Sequence, residues 1–236
     1  MIFAGILAGG TGSRMENAVQ PKQFIEVSGV PIMIRTLRTF LSVDTIDKIV
    51  ISMNTDWEFK YHELFDAFGI DRERVLPVPG GDSRFTSLIN VVNGAKAADD
   101  GSDSIIITHD CARLFVSKEI IEQNIAAMKE FSVVTTSLPV IDTVLSSEDG
   151  RCTTTVPDRS KLFNDQGPQT FYIDTFLDYV SQLPEERLPE FIEAGKLYLE
   201  HGERIGIIKG SRYNFKVTND FDLKYAEFLI REGYVK

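Results

Sequence analysis

The sequence predicts an α/β protein built on a doubly wound, mostly parallel sheet with a projecting β-hairpin arm. Apolar runs of strand length alternate with longer segments of helical period as far as residue 130, the alternation breaks between 138 and 170, and it then resumes. Repeated strand–helix units lay successive strands parallel and cover both sheet faces with helices. Layers of this kind form one domain around one large core at 236 residues. No internal repeat, low-complexity tract or linker marks a boundary within 1–236.

The elements follow in order. "IFAGIL" (2–7) is a continuous apolar run, as expected of a strand buried on both faces. "PIMIRTLRTFLSV" (31–43) has helical spacing and opens on Pro31, whose missing N–H is no loss in a first turn. "KIVISM" (48–53) is the next strand, and the helical pattern of "TDWEFKYHELFDAFG" stops at Gly69. Then come a strand "VLPV" (75–78), a helix over 85–97, a strand "SIIITHD" (104–110) and a helix over 117–130 with Ser117 as its cap. Between 138 and 170, "VIDTVLSS" and "CTTTVPDR" flank the turn signal "EDG" and read as the two strands of the arm. Helices over 173–182 and 188–200, a strand "RIGIIKG" and a last helix "DFDLKYAEFLIREG" complete the chain.

Composition narrows the function. Apolar content of 43% and charged content of 25% are those of a globular protein. A net charge of −10 opposes a nucleic-acid partner, which needs a broad basic surface. It does not oppose a small phosphorylated ligand, because a few converging cations set the local potential. The apolar runs are too short to cross a bilayer and the N-terminus has no basic leader region, so no membrane partner and a cytoplasmic location are expected. Cys111 and Cys152 stand alone, without metal-binding spacing, and read as buried or bystander thiols.

The first strand runs into Ala8-Gly9-Gly10-Thr11-Gly12, a turn that exposes backbone N–H groups with little side chain in the way. The spacing is neither that of a Walker A loop nor that of the dinucleotide fingerprint, which would need glycine at Met15. A plain strand-to-helix turn also accounts for these glycines. Arg14 and Lys22 favour an anion site: arginine offers a planar fork of donors to phosphate oxygens, and lysine a mobile point charge delivered by Pro21.

The pattern L-A-G-G-x-G-x-R-M followed by P-K-Q resembles the signature of sugar and alditol phosphate nucleotidyltransferases. "PGGDSRFTSL" (79–88), "THDCAR" (108–113), "IDT" (141–143), "VPDR…GPQTF" (156–171) and "YNFKVTNDFDL" (213–223) fall in the order of the cytidylyltransferases acting on methylerythritol phosphate and on ribitol 5-phosphate. The resemblance implies a Rossmann-like fold of the nucleotide-diphospho-sugar transferase type and in-line attack of an acceptor phosphate on the α-phosphorus of CTP. Such a step needs cations and positioning more than a base. By resemblance Arg14, Lys22, Arg159 and Lys216 are catalytic, and Mg²⁺ bridges phosphate oxygens. Leu7, Ala8, Gly9, Gly10, Gly81, Asp82, Ser83, Arg84, Ser87, Asp110 and Ala112 contact CTP, with Gly81, Asp82 and Ser87 at the cytosine edge. Without the resemblance, "GGDSRFTS" reads as a Gly-Gly turn with Ser83 capping a helix. By resemblance Asp110, Arg113, Thr143, Arg159 and Lys216 hold the acceptor. His109 has no proton to take in this chemistry and reads as a packed or locally bonded side chain, and His62 and His201 as surface residues.

The resemblance also implies a homodimer in which the arm carries Thr143 and Arg159 into the neighbour's acceptor site. Departures lie at Cys111 and Leu114, where relatives read H-D-A-x-R-P, and at Gly167, where they read T-P-Q. The seven-residue step from Met15 to Lys22, with "THD" and "YNFKVT", favours ribitol 5-phosphate as acceptor, with methylerythritol phosphate second. A non-catalytic nucleotide-binding relative is the remaining alternative, opposed by the retention of all four cations.

Overall fold

The computed structural model describes residues 1–10, 20–101 and 103–235. Its strands are β1 (Ile2–Leu7), β2 (Glu26–Val27), β3 (Val30–Pro31), β4 (Lys48–Met53), β5 (Val75–Pro79), β6 (Ile105–Asp110), β7 (Val133–Pro139), β8 (Phe163–Tyr172) and β9 (Ile205–Lys209). Its α-helices are α1 (Ile32–Leu41), α2 (Glu58–Phe68), α3 (Arg84–Ala97), α4 (Lys118–Ala127), α5 (Ile173–Ser181), α6 (Ala194–Glu200) and α7 (Asp220–Arg231).

The central sheet has the order β5-β4-β1-β6-β8-β7-β9, and β2 with β3 forms a separate small ribbon. β8 runs antiparallel to both of its neighbours, whereas the other adjacent pairs are parallel. From β1 the chain winds outward through β4 and β5, then crosses to β6 on the other side. The winding therefore reverses between β1 and β6, where Leu7 pairs with Asp110 at the carboxyl ends of both strands. Doubly wound sheets open a crevice at such a point.

Burial follows the strand period of two. In β1, Ala4 and Ile6 join the core under α1, α2, α4 and α7, while Phe3 joins the core under α3, α5 and α6. Ile49 and Ile51 against Val50, and Ile107 against Ile106, repeat the alternation in β4 and β6. Both faces are apolar, which is why these strands read as unbroken hydrophobic runs.

Two expectations are corrected. The arm is not a regular two-stranded hairpin along its whole length: at its base Leu138 pairs with Asn164 and Pro139 with Phe163, and beyond Val140 its β structure is a single antiparallel bridge, Ser146 to Thr155. The end of the expected arm region is instead β8, inserted between β6 and β7. Gly167 and Pro168 disguised it, since Pro cannot donate to a ladder. Here Thr135 pairs with Gln169 and Ser137 with Asp165, so residues 166–168 bulge against the single residue Thr136. The proline sits where the ladder is already interrupted.

The helix expected over 188–200 is split into a 3-10 segment, Glu185–Glu190, and α6. Glu193 starts α6 by accepting from the N–H groups of Gly195 and Lys196. Ser117 caps α4 as expected, and Asn219 and Asp222 form a reciprocal capping box on α7. We expect Asn219→Ala to cost about 1 kcal/mol, as N-cap losses do. Urea unfolding would show a lower midpoint at unchanged slope.

Candidate active site

A cavity of about 550 Å³ opens at the reversal point between β1 and β6. Each CTP contact expected from the resemblance lines it: Leu7, Ala8, Gly9, Gly10, Gly81, Asp82, Ser83, Arg84, Ser87, Asp110 and Ala112. Lys22 and Lys216 line it as well. Arg14 lies outside the described residues.

The floor is held by a buried phenol. Tyr61 on α2 donates to Ala8 O at 2.7 Å and accepts from Gln23 Nε2 at 3.0 Å and from Asn54 N at 3.2 Å. Gln23 in turn donates to Gly10 O at 3.1 Å, and Ala8 N donates to Ser52 Oγ at 3.1 Å. The backbone leaving β1 is thus fixed from α2, β4 and the 3-10 turn Lys22–Phe24. Burial pushes the Tyr61 hydroxyl up to about 12, so it stays a neutral donor. Pro21 heads that 3-10 turn, and Lys22 Nζ reaches Val217 O at 3.4 Å across the cavity floor.

The opposite wall is the turn before α3. Ser83 and Thr86 cap the helix reciprocally, and Ser87 Oγ accepts from Gly81 N at 2.9 Å while donating to Ser83 O at 2.8 Å. The helix-cap reading of this stretch is met, and the capped turn is also a wall of the cavity. A Cβ on Gly81 would meet Thr86 Oγ1 at 2.3 Å and the Thr86 backbone carbon at 2.8 Å, so only glycine fits.

Asp110 ends β6 at the centre. Its Oδ1 accepts from Arg84 Nε at 3.0 Å, its Oδ2 from Lys216 Nζ at 2.7 Å, and Arg113 Nε stands 4.0 Å away. Burial pushes this carboxyl up, but Arg84, Lys216 and Arg113 outweigh it and hold it well below the usual carboxylate range. Three cations around one carboxylate leave an excess of positive charge in a strongly acidic chain.

A second cavity of about 210 Å³ adjoins the first and shares Arg84, Asp110 and Lys216 with it. Arg113, an acceptor contact by the resemblance, lines it. Asp165, Gln166, Gly167, Gln169, Ile192 and Glu193 line it too. Sequence reading missed these apart from the Gly167 departure, because β8 was not recognised. His109 is packed, as expected: Nε2 donates to Arg113 O at 3.0 Å, and its ring lies 5.5 Å from that of Phe40. Burial depresses it to about 4. Cys111 is buried and its thiol is pushed up to about 12 by that burial, whereas Cys152 is exposed. Among the described residues that line either cavity, Thr143 and Arg159 do not occur. Both are exposed on the arm, where Arg159 donates to Ile141 O at 2.6 Å.

A switch-point cavity walled by glycine backbone and cations, on this sheet order, defines a nucleotidyltransferase. A sequence model described as "IspD: 2-C-methyl-D-erythritol 4-phosphate cytidylyltransferase" matches residues 2–232, and the chain belongs to that family. It is a CTP-dependent cytidylyltransferase. The chain is similar to the 4-diphosphocytidyl-2C-methyl-D-erythritol synthase of Anaerococcus prevotii, with 26% identity, coverage of 98% of this chain and 96% of that one, and a TM-score of 0.80. The 2-C-methyl-D-erythritol 4-phosphate cytidylyltransferases of Francisella tularensis (21% identity, 96% and 98% covered, TM-score 0.77) and Thermus thermophilus (21%, 98% and 100%, TM-score 0.74) share the fold. These matches favour the second of the two acceptors weighed from sequence over ribitol 5-phosphate, which they do not support. Among the described residues no helix is long and apolar enough to cross a membrane.

Removing the Tyr61 hydroxyl leaves Asn54 N–H and Ala8 O short of a partner. We expect Tyr61→Phe to lose roughly 1–3 kcal/mol of stability, the cost of buried unsatisfied groups. Its KM for CTP should rise, measured beside a thermal or denaturant melt of the same preparation.

Proposed function

We propose that the chain transfers CMP from CTP to 2-C-methyl-D-erythritol 4-phosphate and releases pyrophosphate. One observation carries the reading: the two cavities meet at Asp110 and share Arg84 and Lys216. Two anionic substrates entering from opposite sides would meet over this cationic boundary, where in-line displacement takes place. Family membership supports the choice of acceptor.

The triphosphate lies along Gly9 and Gly10 with Lys22 beside it, and the base faces the turn from Gly81 to Ser87. Arg14 belongs to the same role by its place after the glycine turn. The acceptor phosphate is already an anion, so no side chain need remove a proton. Lys22 and Lys216 instead stabilise the charge that builds on the five-coordinate phosphorus. Among the described residues no cluster of ligating side chains forms a ready metal site, and both Asp110 oxygens accept from cations, so Mg²⁺ would be held chiefly by the substrate phosphates with Asp110 as the nearby carboxylate. When bound it would neutralise the triphosphate. Asp110 also keeps Arg84 and Lys216 in place by its ion pairs.

The arm supports a two-fold dimer. Ile141, Leu145 and Val156 are 63%, 59% and 59% exposed on a segment with one β bridge, an apolar surface that a second subunit would cover. Thr143 and Arg159 are then supplied to the neighbour's acceptor cavity.

Pyrophosphate release with CTP or UTP and a panel of 2-C-methyl-D-erythritol 4-phosphate, ribitol 5-phosphate and other polyol phosphates tests the reading. We expect the highest kcat/KM for CTP with the methylerythritol acceptor; preference for ribitol 5-phosphate or for UTP would overturn that part. Lys22→Ala should lower kcat on the order of 10²–10³-fold, as loss of one charge-stabilising donor does. For the dimer, mixing inactive Lys22→Ala with inactive Arg159→Ala should restore part of the activity. A mixed dimer holds one site with both defects and one with neither. No recovery in confirmed mixed dimers would mean that Arg159 serves its own subunit.

A further inference from the structure

The smaller cavity is lined by groups of opposite charge. Arg84, Arg113 and Lys216 gather around Asp110. The lining also holds two further carboxylates, Asp165 and Glu193. Gln169, buried in the wall, donates through Nε2 to Asp165 Oδ2 at 3.1 Å and to Glu193 Oε2, so one amide fixes both acids side by side. Thr135 Oγ1 donates to Asp165 Oδ1 at 2.6 Å, and the N–H groups of Gly195 and Lys196 donate to Glu193 at 2.7 and 3.1 Å. A carboxylate offers about four acceptor positions, so each keeps capacity for a ligand.

An independent feature points the same way. His109 is 1% exposed, lines this cavity, and its Nδ1 has no partner. The carbonyl of Arg113 can only accept, so Nε2 carries the proton of the neutral ring and Nδ1 is left as an acceptor. The nearest heavy atom to a Cβ built on Gly167 would be this Nδ1, at 3.8 Å, and nothing else lies within 4 Å. Gly167 has φ +60°, where a side chain would be strained, and it stands in the bulge of β8. The bulge keeps the space beside the imidazole clear.

A wall of fixed acceptors suits a ligand made of donors. We propose that Asp165, Glu193 and Nδ1 of His109 bind the hydroxyl groups of the acceptor's carbon chain, while its phosphate stays with Arg84, Arg113 and Lys216. This wall then selects a polyhydroxylated phosphate and sets which hydroxyls it must carry. The assignment rests on the smaller cavity being the acceptor site. An analogue lacking a matched hydroxyl leaves a desolvated acceptor unpaired, the kind of mismatch that discriminates strongly.

The test is steady-state kinetics with the best acceptor of the panel and with analogues of it that each lack one hydroxyl remote from the phosphate. Asp165→Asn, Glu193→Gln and His109→Asn are compared with the natural chain, each checked for folding by circular dichroism. We expect acceptor KM to rise about 10-fold in Asp165→Asn or Glu193→Gln, as for one lost hydrogen bond to a charged group. KM for CTP should stay within about twofold, and discrimination against at least one deoxy analogue should shrink by the same factor as the KM effect. Unchanged acceptor KM in all folded variants, or a parallel rise for CTP, overturns the proposal while leaving the reaction standing. Undiminished discrimination against every deoxy analogue overturns it equally. Should the unaltered protein turn over no acceptor at all, both the reaction and this wall fall together.

Discussion

The site depends on one buried carboxylate and the cations that neutralise it. Asp110 closes a central strand, 14% exposed at its side chain, and its partners arrive from three segments: Arg84 from the first turn of α3, Arg113 from the turn after β6, and Lys216 from the loop before α7. Burying an unpaired carboxylate is costly, and removing one member of such a group leaves the rest uncompensated. The group therefore locks the relative positions of the elements that wall both cavities. It also gathers three cations at the boundary of the two cavities in a chain that is acidic overall.

The glycine turn after β1 relies on a different kind of support. Its described residues Ala8 and Gly10 are held by hydrogen bonds from groups outside it, Tyr61, Gln23 and Ser52. Preorganised N–H donors stabilise developing charge without reorganising during the reaction. A turn with so little side chain of its own must be held from beneath.

The reversed strand β8 gives the smaller cavity its character. Lying between β6 and β7, it brings Asp165 and Gln169 to the side of Asp110, and its bulge places Gly167 beside His109. The neighbouring segment before α6 adds Ile192 and Glu193. Arg84 ties that segment to the centre, through Nε to Asp110 and through its terminal nitrogen to Ile192 O. The guanidinium of Arg84 is thus one of the groups that join the two cavities, with Asp110 and Lys216.

Much of the nucleotide half was legible in the sequence. Strands buried on both faces announce themselves as apolar runs, and the Gly-Gly turns and P-K-Q are local patterns whose residues stay close together when folded. The acceptor half was not, for a physical reason. β8 contains Gly-Pro in a bulge, a local signal for a turn that only the partner strands override, and Glu193 lies where a continuous helix was expected. Tyr61 looked like an ordinary helical aromatic, since nothing in "FKYHEL" shows that its hydroxyl reaches back to Ala8. The sequence by itself determined the fold class, the mostly parallel character of the sheet and the residue types able to meet a nucleotide. The tertiary structure decided which cations share Asp110, which acceptors line the smaller cavity with them, and that Thr143 and Arg159 line neither cavity, because these depend on contacts between segments tens of residues apart.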